Sequence, residues 1–263
     1  YEDNADKHFL SNKLELAGQW MDGHGTVASN DSHIDQQSDN RNLGLQNRTR
    51  WAHRTESGGG FELNSTHTVQ TTPQELSVSG GMEARQEVNI TRVSTSNDFA
   101  LLKDLRRNRW TIVPSAGLDV NYVGLKSVLK AQTSDNGVMD YVRAQGSVGA
   151  ILRYVKNEFR MTFNLPLSLT HTNVIGDTNV TRLRISPSAS MLWKATDYWT
   201  LSGDAGYGTS ETPWSQLITC YIMSNYRTVS RYVANLSDSQ RLYANLKLNY
   251  KDILNEFFAY IQG

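Results

Sequence analysis

Basic side chains occupy the polar side of several alternating segments in this chain. Alternate residues of an extended strand point to one face, so this spacing gathers positive charge on a single surface. Rings of Arg or Lys on such a surface can attract and select anions. The alternative, which we favour, pairs these groups with carboxylates of neighbouring strands or of another domain, for which Asp119, Asp140 and Asp204 are candidates. The basic residues are Arg143, Arg153, Arg160, Arg182, Arg184, Arg241 and Lys247.

A polar segment at residues 210–238 gathers aromatic side chains and arginines. Aromatic residues and Arg are the types that dominate binding energy at interfaces. We therefore predict that this segment contacts a substrate or a protein partner. The segment could also fold over and pack on itself, and the two interpretations are compatible. The predicted contact residues are Trp214, Tyr221, Tyr226, Arg227, Arg231 and Tyr232.

The sequence carries no motif for catalysis or for binding a metal or cofactor. The six histidines form no HExxH pattern and no ligand spacing with a carboxylate pair, which predicts no metal site. The glycine run at 58–60 lacks a following Lys and a helix, so it reads as a turn rather than a phosphate loop. No catalytic triad can be assigned without strand register. We therefore expect no catalytic residue, no cofactor and no enzyme activity.

Composition excludes further classes of protein. Lys and Arg number 26, as do Asp and Glu, so the basic excess of a nucleic-acid-binding protein is missing. The single Cys220 excludes an internal disulfide framework and a multi-cysteine zinc site. No apolar run approaches the roughly 18 residues of a transmembrane helix. A transmembrane barrel stays compatible with the mean hydropathy of −0.50, because its strands alternate between apolar and polar residues.

Alternation of apolar and polar residues is the dominant pattern along the chain. Leu183 and Ile185 share one face of their segment, for example, and Arg182 and Arg184 share the other. Many segments exceed the roughly 5–6 residues of an ordinary strand, and a membrane-spanning strand needs about 9–11. The predicted strands lie near 12–28, 41–56, 60–72, 85–97, 110–128, 138–154, 159–173, 180–194, 198–209, 239–250 and 255–263.

Short polar connections flanked by aromatic residues alternate with longer polar connections. Trp193, Tyr198 and Trp199 flank the clearest short one. Trp and Tyr favour the interface between hydrocarbon and water. The short connections are 57–59, 155–158, 195–197 and 251–255, together with the longer 97–109, which is either a helical turn or a strand end with a basic turn. The other set is 29–40, 73–84, 129–137, 174–179 and 210–238.

These features predict an all-β fold, an antiparallel up-and-down meander. Only helices and closed barrels satisfy every backbone group inside a bilayer. The meander is therefore expected to be a partial transmembrane β-barrel of about 11 strands with short periplasmic turns and longer extracellular loops. The alternative is a soluble β-sandwich, whose apolar side chains meet between two stacked sheets. Because the chain begins at Tyr1 and ends within an alternating segment, we expect a piece of a longer protein, roughly half of a wall of about 22 strands.

Two stretches resemble a known family. Residues 185–208, ISPSASMLWKATDYWTLSGDAGYG, look like a barrel hairpin of TonB-dependent outer-membrane receptors from Bacteroidetes-type bacteria. Residues 222–232, IMSNYRTVSRY, followed by LSDSQ at 236–240, look like the large extracellular loop of that group. The resemblance covers 110–263 well and 1–109 more loosely, and it transfers no ligand residue.

The resemblance implies a location in the bacterial outer membrane and active import of a scarce nutrient. It implies contact with outer-membrane lipid, an N-terminal plug domain that couples to the TonB complex, and a surface lipoprotein as a further partner. Residues 1–263 would then be part of one barrel domain, without the plug and the final strands. The alternatives are a pore or assembly protein without a plug and, less favoured, an outer-membrane hydrolase that uses inward Asp and Ser residues.

Overall fold

The structure is a single long antiparallel sheet with one inserted loop. The computed structural model describes residues 2–5, 7–29, 32–56, 59–80, 83–101, 109–132, 134–233, 235–252 and 255–263. The strands are β1 (Glu2–Ala5), β2 (His8–Ser29), β3 (Ser32–Arg54), β4 (Gly60–Ser79), β5 (Ala84–Leu101), β6 (Trp110–Lys130), β7 (Asp135–Lys156), β8 (Phe159–Val174), β9 (Thr178–Ile185), β10 (Ser188–Lys194), β11 (Trp199–Glu211), β12 (Ile222–Asn225), β13 (Thr228–Ser230), β14 (Asp238–Asp252) and β15 (Phe257–Gln262).

Strand order in the sheet follows chain order. The sheet runs from β1 to β8 and continues through β10, β11, β14 and β15. β9 also pairs with β8, and it is separated from β10 by Ser186 and Pro187. A proline nitrogen cannot donate to the ladder, so the ribbon is interrupted there. Across the described residues the sheet stays open between β1 and β15, and the predicted meander of a partial β-barrel is confirmed.

The strands extend further into the predicted longer connections than the sequence suggested. The segment 29–40 is mostly strand, because β2 and β3 pair as far as Ser29 and Ser32. The predicted loops 73–84 and 129–137 shrink likewise, since β4 reaches Ser79 and β6 reaches Lys130. Residues 29–40 are mostly polar and show no apolar alternation. At the end of β4 the apolar residues Leu76 and Val78 lie on the face opposite to that of Val69, so they do not continue its pattern. On the opposite side, β5 continues to Leu101, and residues 102–108 of the predicted 97–109 connection lie outside the described residues.

The two faces of the sheet are chemically distinct. Residues paired directly across neighbouring strands share a face. We call the face that carries Gln86 and Tyr141 the inner face, and the face that carries Leu45 and Val148 the outer face. The outer face exposes a broad apolar band, in which Leu16 is 82% exposed. The band includes Leu14, Leu16, Leu43, Leu45, Val69, Val93, Leu118, Val148, Leu165, Leu167, Leu169, Leu183, Ile185, Leu242 and Leu246.

This apolar band decides between a barrel wall and a sandwich. In a sandwich the apolar side chains would be buried between two sheets. In the described residues they project from one sheet, and no second sheet covers them. The small pair β12–β13 lies in the loop between β11 and β14. The helix in the described residues is the 3-10 turn Trp214–Gln216, and none there is long and apolar enough to cross a membrane.

Aromatic rings line the outer face near the short connections. The rings of Trp51 and Phe61 lie 4.8 Å apart in an edge-to-face arrangement. Trp199 and Tyr250 are also 4.8 Å apart. Further contacts continue the row, namely Phe61–Phe99, Trp110–Tyr154, Tyr154–Phe159, Tyr198–Tyr250 and Tyr250–Phe257. Aromatic residues beside the short connections therefore form three groups of ring contacts along the edge of the apolar band, which we call the aromatic girdle.

Candidate functional site

The loop between β11 and β14 folds back onto the inner face. We call the described residues 212–233 and 235–237 the inner loop. Its base is closed by a hydrogen bond from the Thr212 N–H to the Ser237 carbonyl oxygen, at 3.1 Å. Pro213 then leads into the 3-10 turn, and β12 and β13 form the tip. The loop thereby reaches across the sheet to strands far from it in sequence.

Apolar packing seats the inner loop against the wall. Leu217 is 0% exposed and Met223 is 5% exposed. Fully burying side chains of this size stabilises by about 1.5–3 kcal/mol each. One cluster joins Leu217 and Cys220 to Val88, Val123, Leu125, Met139, Tyr141 and Val174. A second joins Met223 to Leu76, Val78, Ala84 and Leu129.

The side-chain amide of Gln86 both donates to and accepts from the backbone of the inner loop, as the backbone of a neighbouring strand would. Its amide nitrogen donates to the Tyr221 carbonyl oxygen at 2.8 Å, and its amide oxygen accepts from the Met223 N–H at 2.6 Å. A third bond, to the Ser127 hydroxyl at 2.9 Å, fixes the orientation of the amide. Because Gln86 is 1% exposed, these partners replace the water that its amide would otherwise bind.

Two further side chains of the wall accept hydrogen bonds from the loop. The Tyr221 N–H donates to the Asp135 carboxylate at 2.9 Å. The Tyr226 N–H donates to the amide oxygen of Gln36, also at 2.9 Å. Together with Gln86, these contacts spread the loop over β3, β5 and β7.

A glycine of β7 makes room for the loop. A Cβ atom added at Gly137 would overlap the Cβ and Sγ atoms of Cys220. The Cys220 thiol is buried there, and this burial raises its pKa. A buried thiol with a raised pKa is less often ionised, and the thiolate is the nucleophilic form.

Three arginines of the wall hold the two ends of the inner loop. Arg184 forms ion pairs with Glu211, at 2.5 Å, and with Asp238, at 2.8 Å. Arg143 pairs with Glu211 at 2.8 Å, and Arg182 pairs with Asp238 at 2.7 Å. The side chain of Arg184 is 8% exposed and that of Glu211 is 11% exposed. We call these five residues the arginine clamp.

The clamp differs from the carboxylate pairing considered from sequence. Glu211 and Asp238 accept the guanidinium groups, whereas Asp140 lies on the outer face and accepts from the Tyr122 hydroxyl at 2.7 Å. Asp204 accepts from the Asn245 amide at 2.9 Å. The carboxylates considered from sequence as partners of the arginines all lie within long strands. This prediction missed the carboxylates at the last residue of β11 and the first of β14, which the loop geometry brings back to β9.

Register places every predicted basic residue on the inner face. Arg153 and Arg160 lie toward the short connections and are exposed. Arg241 approaches the Tyr243 ring, and Lys247 approaches the Tyr260 ring at 5.2 Å. The structure therefore separates the predicted set into the clamp arginines and an exposed group.

The predicted contact residues of the loop divide in the same way. Trp214 packs against the first apolar cluster and Tyr226 against the second. Tyr221 and Tyr232 are exposed, and Arg231 lies 5.3 Å from the Tyr221 ring centre. Arg227 stacks on Tyr226 at 4.9 Å. The exposed part of the loop thus presents aromatic rings backed by guanidinium groups.

An open cavity of about 450 Å³ lies beside the clamp. Arg92, Tyr141, Gln145 and Trp214 line it together with clamp residues. Guanidinium, amide, phenol and carboxylate groups can all hydrogen-bond a polar solute. Gln86, Gly137, Arg92 and Gln36 were not predicted from sequence as functional residues.

Comparisons with known proteins agree on the fold. No family model and no curated protein matches the chain. The solved ferric yersiniabactin uptake receptor FyuA from Yersinia pestis matches with a TM-score of 0.57 and 12% identity, over 94% of this chain and 41% of that one. The pyoverdine outer membrane receptor FpvA from Pseudomonas aeruginosa gives 0.55 and 10%, over 96% and 45%.

A third solved structure gives the same result. The ferric citrate transporter FecA matches with a TM-score of 0.53 and 11% identity, over 95% of this chain and 39% of that one. The chain therefore spans less than half the length of these solved proteins. Its fold is that of part of the β-barrel of these solved structures.

Replacement of Gly137 by Leu should lift the inner loop from its seat, because the new side chain needs the space of Cys220. Cys220 then becomes accessible and its pKa falls toward the ordinary value. We expect alkylation of Cys220 by a maleimide to become several-fold faster at neutral pH. The matched control is Gly146→Leu on the same strand, where a Cβ meets no atom within 4 Å. Equal alkylation rates in the two variants would contradict this seating of the loop.

Replacement of Arg184 by Gln should destabilise the clamp, because it leaves Glu211 and Asp238 without their shared countercharge. Arg143 still pairs with Glu211 and Arg182 still pairs with Asp238, so we expect the loss of charged hydrogen bonds to cost about 1.5–3 kcal/mol. The free energy of unfolding in detergent micelles measures the loss. Arg153→Gln, at an exposed position of the same face, should change it by less than about 0.5 kcal/mol. A loss for Arg184→Gln no larger than that control would refute the clamp.

Proposed function

We propose that this chain is part of the barrel wall of an active importer in the bacterial outer membrane. The observation that carries the proposal is the exposed apolar band with its aromatic girdle on the outer face, opposite an inner face of charged and amide groups. Soluble proteins rarely expose a contiguous apolar patch larger than a few hundred square ångströms. A bilayer removes that cost, because lipid covers the band and the girdle lies at the headgroup level.

The inner face and the inner loop support a transport role. The neighbouring solved proteins are named as receptors and transporters for ferric yersiniabactin, pyoverdine and ferric citrate. We infer that the cavity beside the clamp and the exposed residues Tyr221, Arg231 and Tyr232 meet a nutrient arriving from outside. Arg92 and Arg143 suit a solute with carboxylate or other anionic groups, because a guanidinium can donate two hydrogen bonds to such a group.

The remaining parts of the importer belong to the longer protein that we propose contains this chain. Its other strands close the barrel, and an N-terminal plug couples import to the TonB complex, as in the Bacteroidetes-type receptors that residues 185–208 and 222–232 resemble. A surface lipoprotein is a further candidate partner for the exposed loop. Backbone groups at the open edges of β1 and β15 need those additional strands as partners inside a bilayer.

Lipid contact of the outer face predicts a difference between adjacent residues of β3. Leu45→Arg places a charge in the apolar band and should make folding into lipid bilayers less favourable by about 2–4 kcal/mol. Gln46→Arg points to the inner face and should change it little. Folding of the intact protein into vesicles, followed by urea titration, measures both. Equal effects of the two substitutions would contradict a lipid-facing outer surface.

Active import predicts that uptake needs energy. In the bacterium that makes the full-length protein, uptake of radiolabelled iron, supplied as ferric citrate and as ferric siderophores, should stop when TonB is removed. A passive pore would continue to admit the solute without TonB, and that result would overturn the importer proposal. Recovery of the full-length protein in the soluble fraction without detergent would overturn the membrane location itself.

A further inference from the structure

A strip of polar side chains interrupts the apolar band on the outer face of β2–β5. One row across these strands is Asn12, Thr49, Ser65 and Asn97, which are paired in register. The next row adds the register partners Asn47, His67 and Thr95. We call these seven residues the polar strip.

Apolar rows border the polar strip on both sides. On the side of the longer connections lie the register partners Leu16, Leu45, Val69 and Val93. On the side of the short connections lie Leu10, Trp51, Leu63 and Phe99. Consecutive rows on one face are about 6.6 Å apart along a strand. With a strand tilt of about 40°, the strip lies roughly 5–15 Å above the aromatic girdle, inside an apolar band about 25 Å tall. Its residues therefore face hydrocarbon in the proposed membrane location.

Hydrogen bonds connect the strip within two strand pairs. On β2 and β3, Asn12 donates to Thr49 at 2.7 Å, and Asn47 donates to Asn12 at 3.2 Å. On β4 and β5, Ser65 donates to Asn97 at 2.6 Å. The two nitrogens of His67 meet the hydroxyls of Ser65, at 2.9 Å, and Thr95, at 2.7 Å. These bonds satisfy much of the polar capacity of the strip, so the barrel can fold with it.

Two amide donors retain capacity. An asparagine amide nitrogen carries two N–H groups. In the described part of the chain, the Asn47 amide nitrogen donates one hydrogen bond, to Asn12, and the Asn97 amide nitrogen donates one, to Thr95. Lipid tails provide no acceptor for the second N–H of either residue. A buried donor without an acceptor costs about 1–3 kcal/mol, so an acceptor from outside the sheet would stabilise this surface.

The chemistry of the strip points to a second copy of the same surface. Its side chains are amides, hydroxyls and one imidazole, each type able both to donate and to accept. None carries a fixed charge, so a charged partner would meet no countercharge. A two-fold contact places the same patch of both copies face to face, and each then supplies what the other lacks. Asn, Ser, Thr and His hydrogen-bond across neighbouring transmembrane helices, and the same groups on two facing barrels can pair in the same way.

We propose that two copies of the full-length protein associate side by side in the membrane through the polar strip. The bordering apolar rows of the two copies meet around the strip and keep lipid tails away from it. The proposal rests on the membrane location argued above. It adds a partner, and it assigns Asn47 and Asn97 as the donors that reach across.

Cysteine cross-linking in native membranes tests the contact. In a Cys220→Ser background, His67→Cys lies near the centre of the strip, and Val148→Cys is the control, on the outer face of β7 and 58% exposed. We expect a thiol-specific oxidant to convert His67→Cys, but not Val148→Cys, into a covalent dimer of twice the monomer mass. Dimer yields that are the same for both variants, or a His67→Cys adduct with a protein of another mass, would overturn the proposal.

A second pair of variants removes the donors while keeping the outer face apolar. Asn47→Leu with Asn97→Leu should lower the dimer fraction in lipid vesicles about tenfold, in line with the roughly 1–2 kcal/mol of membrane hydrogen bonds in peptides. The matched control is His171→Leu with Thr181→Val, another hydrogen-bonded pair on the outer face, at 2.8 Å. An unchanged dimer fraction in the Asn47 and Asn97 variant would refute the contact.

The two proposals can fail separately. The position of each variant on unheated gels reports whether the barrel is folded, and cell fractionation reports whether it is in the membrane. A folded membrane protein without the His67→Cys dimer overturns the contact and leaves the importer intact. A soluble protein overturns both.

Discussion

The backbone hydrogen-bond ladder between consecutive strands is the interaction on which the rest of this structure depends. Almost every strand pairs with its neighbours in chain order, so thirteen strands form one sheet. In the described part of the chain, the helical element between them is the short 3-10 turn of the inner loop. A sheet in this arrangement has two independent faces. The ladder keeps each residue on its face over more than twenty positions in β2 and β3, and a slip of one residue would exchange the faces.

The inner loop uses that fixed register. Gln36, Gln86 and Asp135 belong to three strands, yet their side chains accept hydrogen bonds from one loop. The clamp arginines instead act as donors and hold the carboxylates of Glu211 and Asp238 at the two ends of the loop. Such contacts are possible because the sheet holds its side chains at set spacings, as a rigid scaffold holds a binding loop. The loop in turn covers apolar residues that would otherwise face water on the inner side.

Alternation in the sequence was enough to predict strands, their antiparallel order and the aromatic girdle. It was not enough to find the seat of the inner loop, because alternation was read with one apolar side for each strand. In β7 the apolar residues at Met139 and Tyr141 lie on one face, and those at Ala144 and Val148 lie on the other. Within this strand the apolar residues change from one face to the other at the point where the inner loop begins to cover the sheet. This change is visible in the sequence.

Other features could not be predicted from the sequence, because they depend on register across many residues. Each residue of the polar strip looks unremarkable in its own strand, and the strip exists only once Asn12, Thr49, Ser65 and Asn97 are paired. The same applies to the clamp, where Arg184 and Asp238 are 54 positions apart. Single sequences report local periodicity well and report such distant pairings poorly.

The interruption at Ser186 and Pro187 has a consequence for how the chain reaches the interior. Beyond this point β9 keeps only β8 as a partner, and β11 with β14 continues as a separate two-stranded arm. Glu211 and Asp238, at the end of that arm, arrive beside the arginines of β9 before the loop starts. Because the arm of β11 and β14 already turns toward the inner face, the inner loop needs few additional residues to reach the strands on which it packs. The interruption of the sheet at Pro187 therefore allows the loop between β11 and β14 to reach the inner face through a shorter connection.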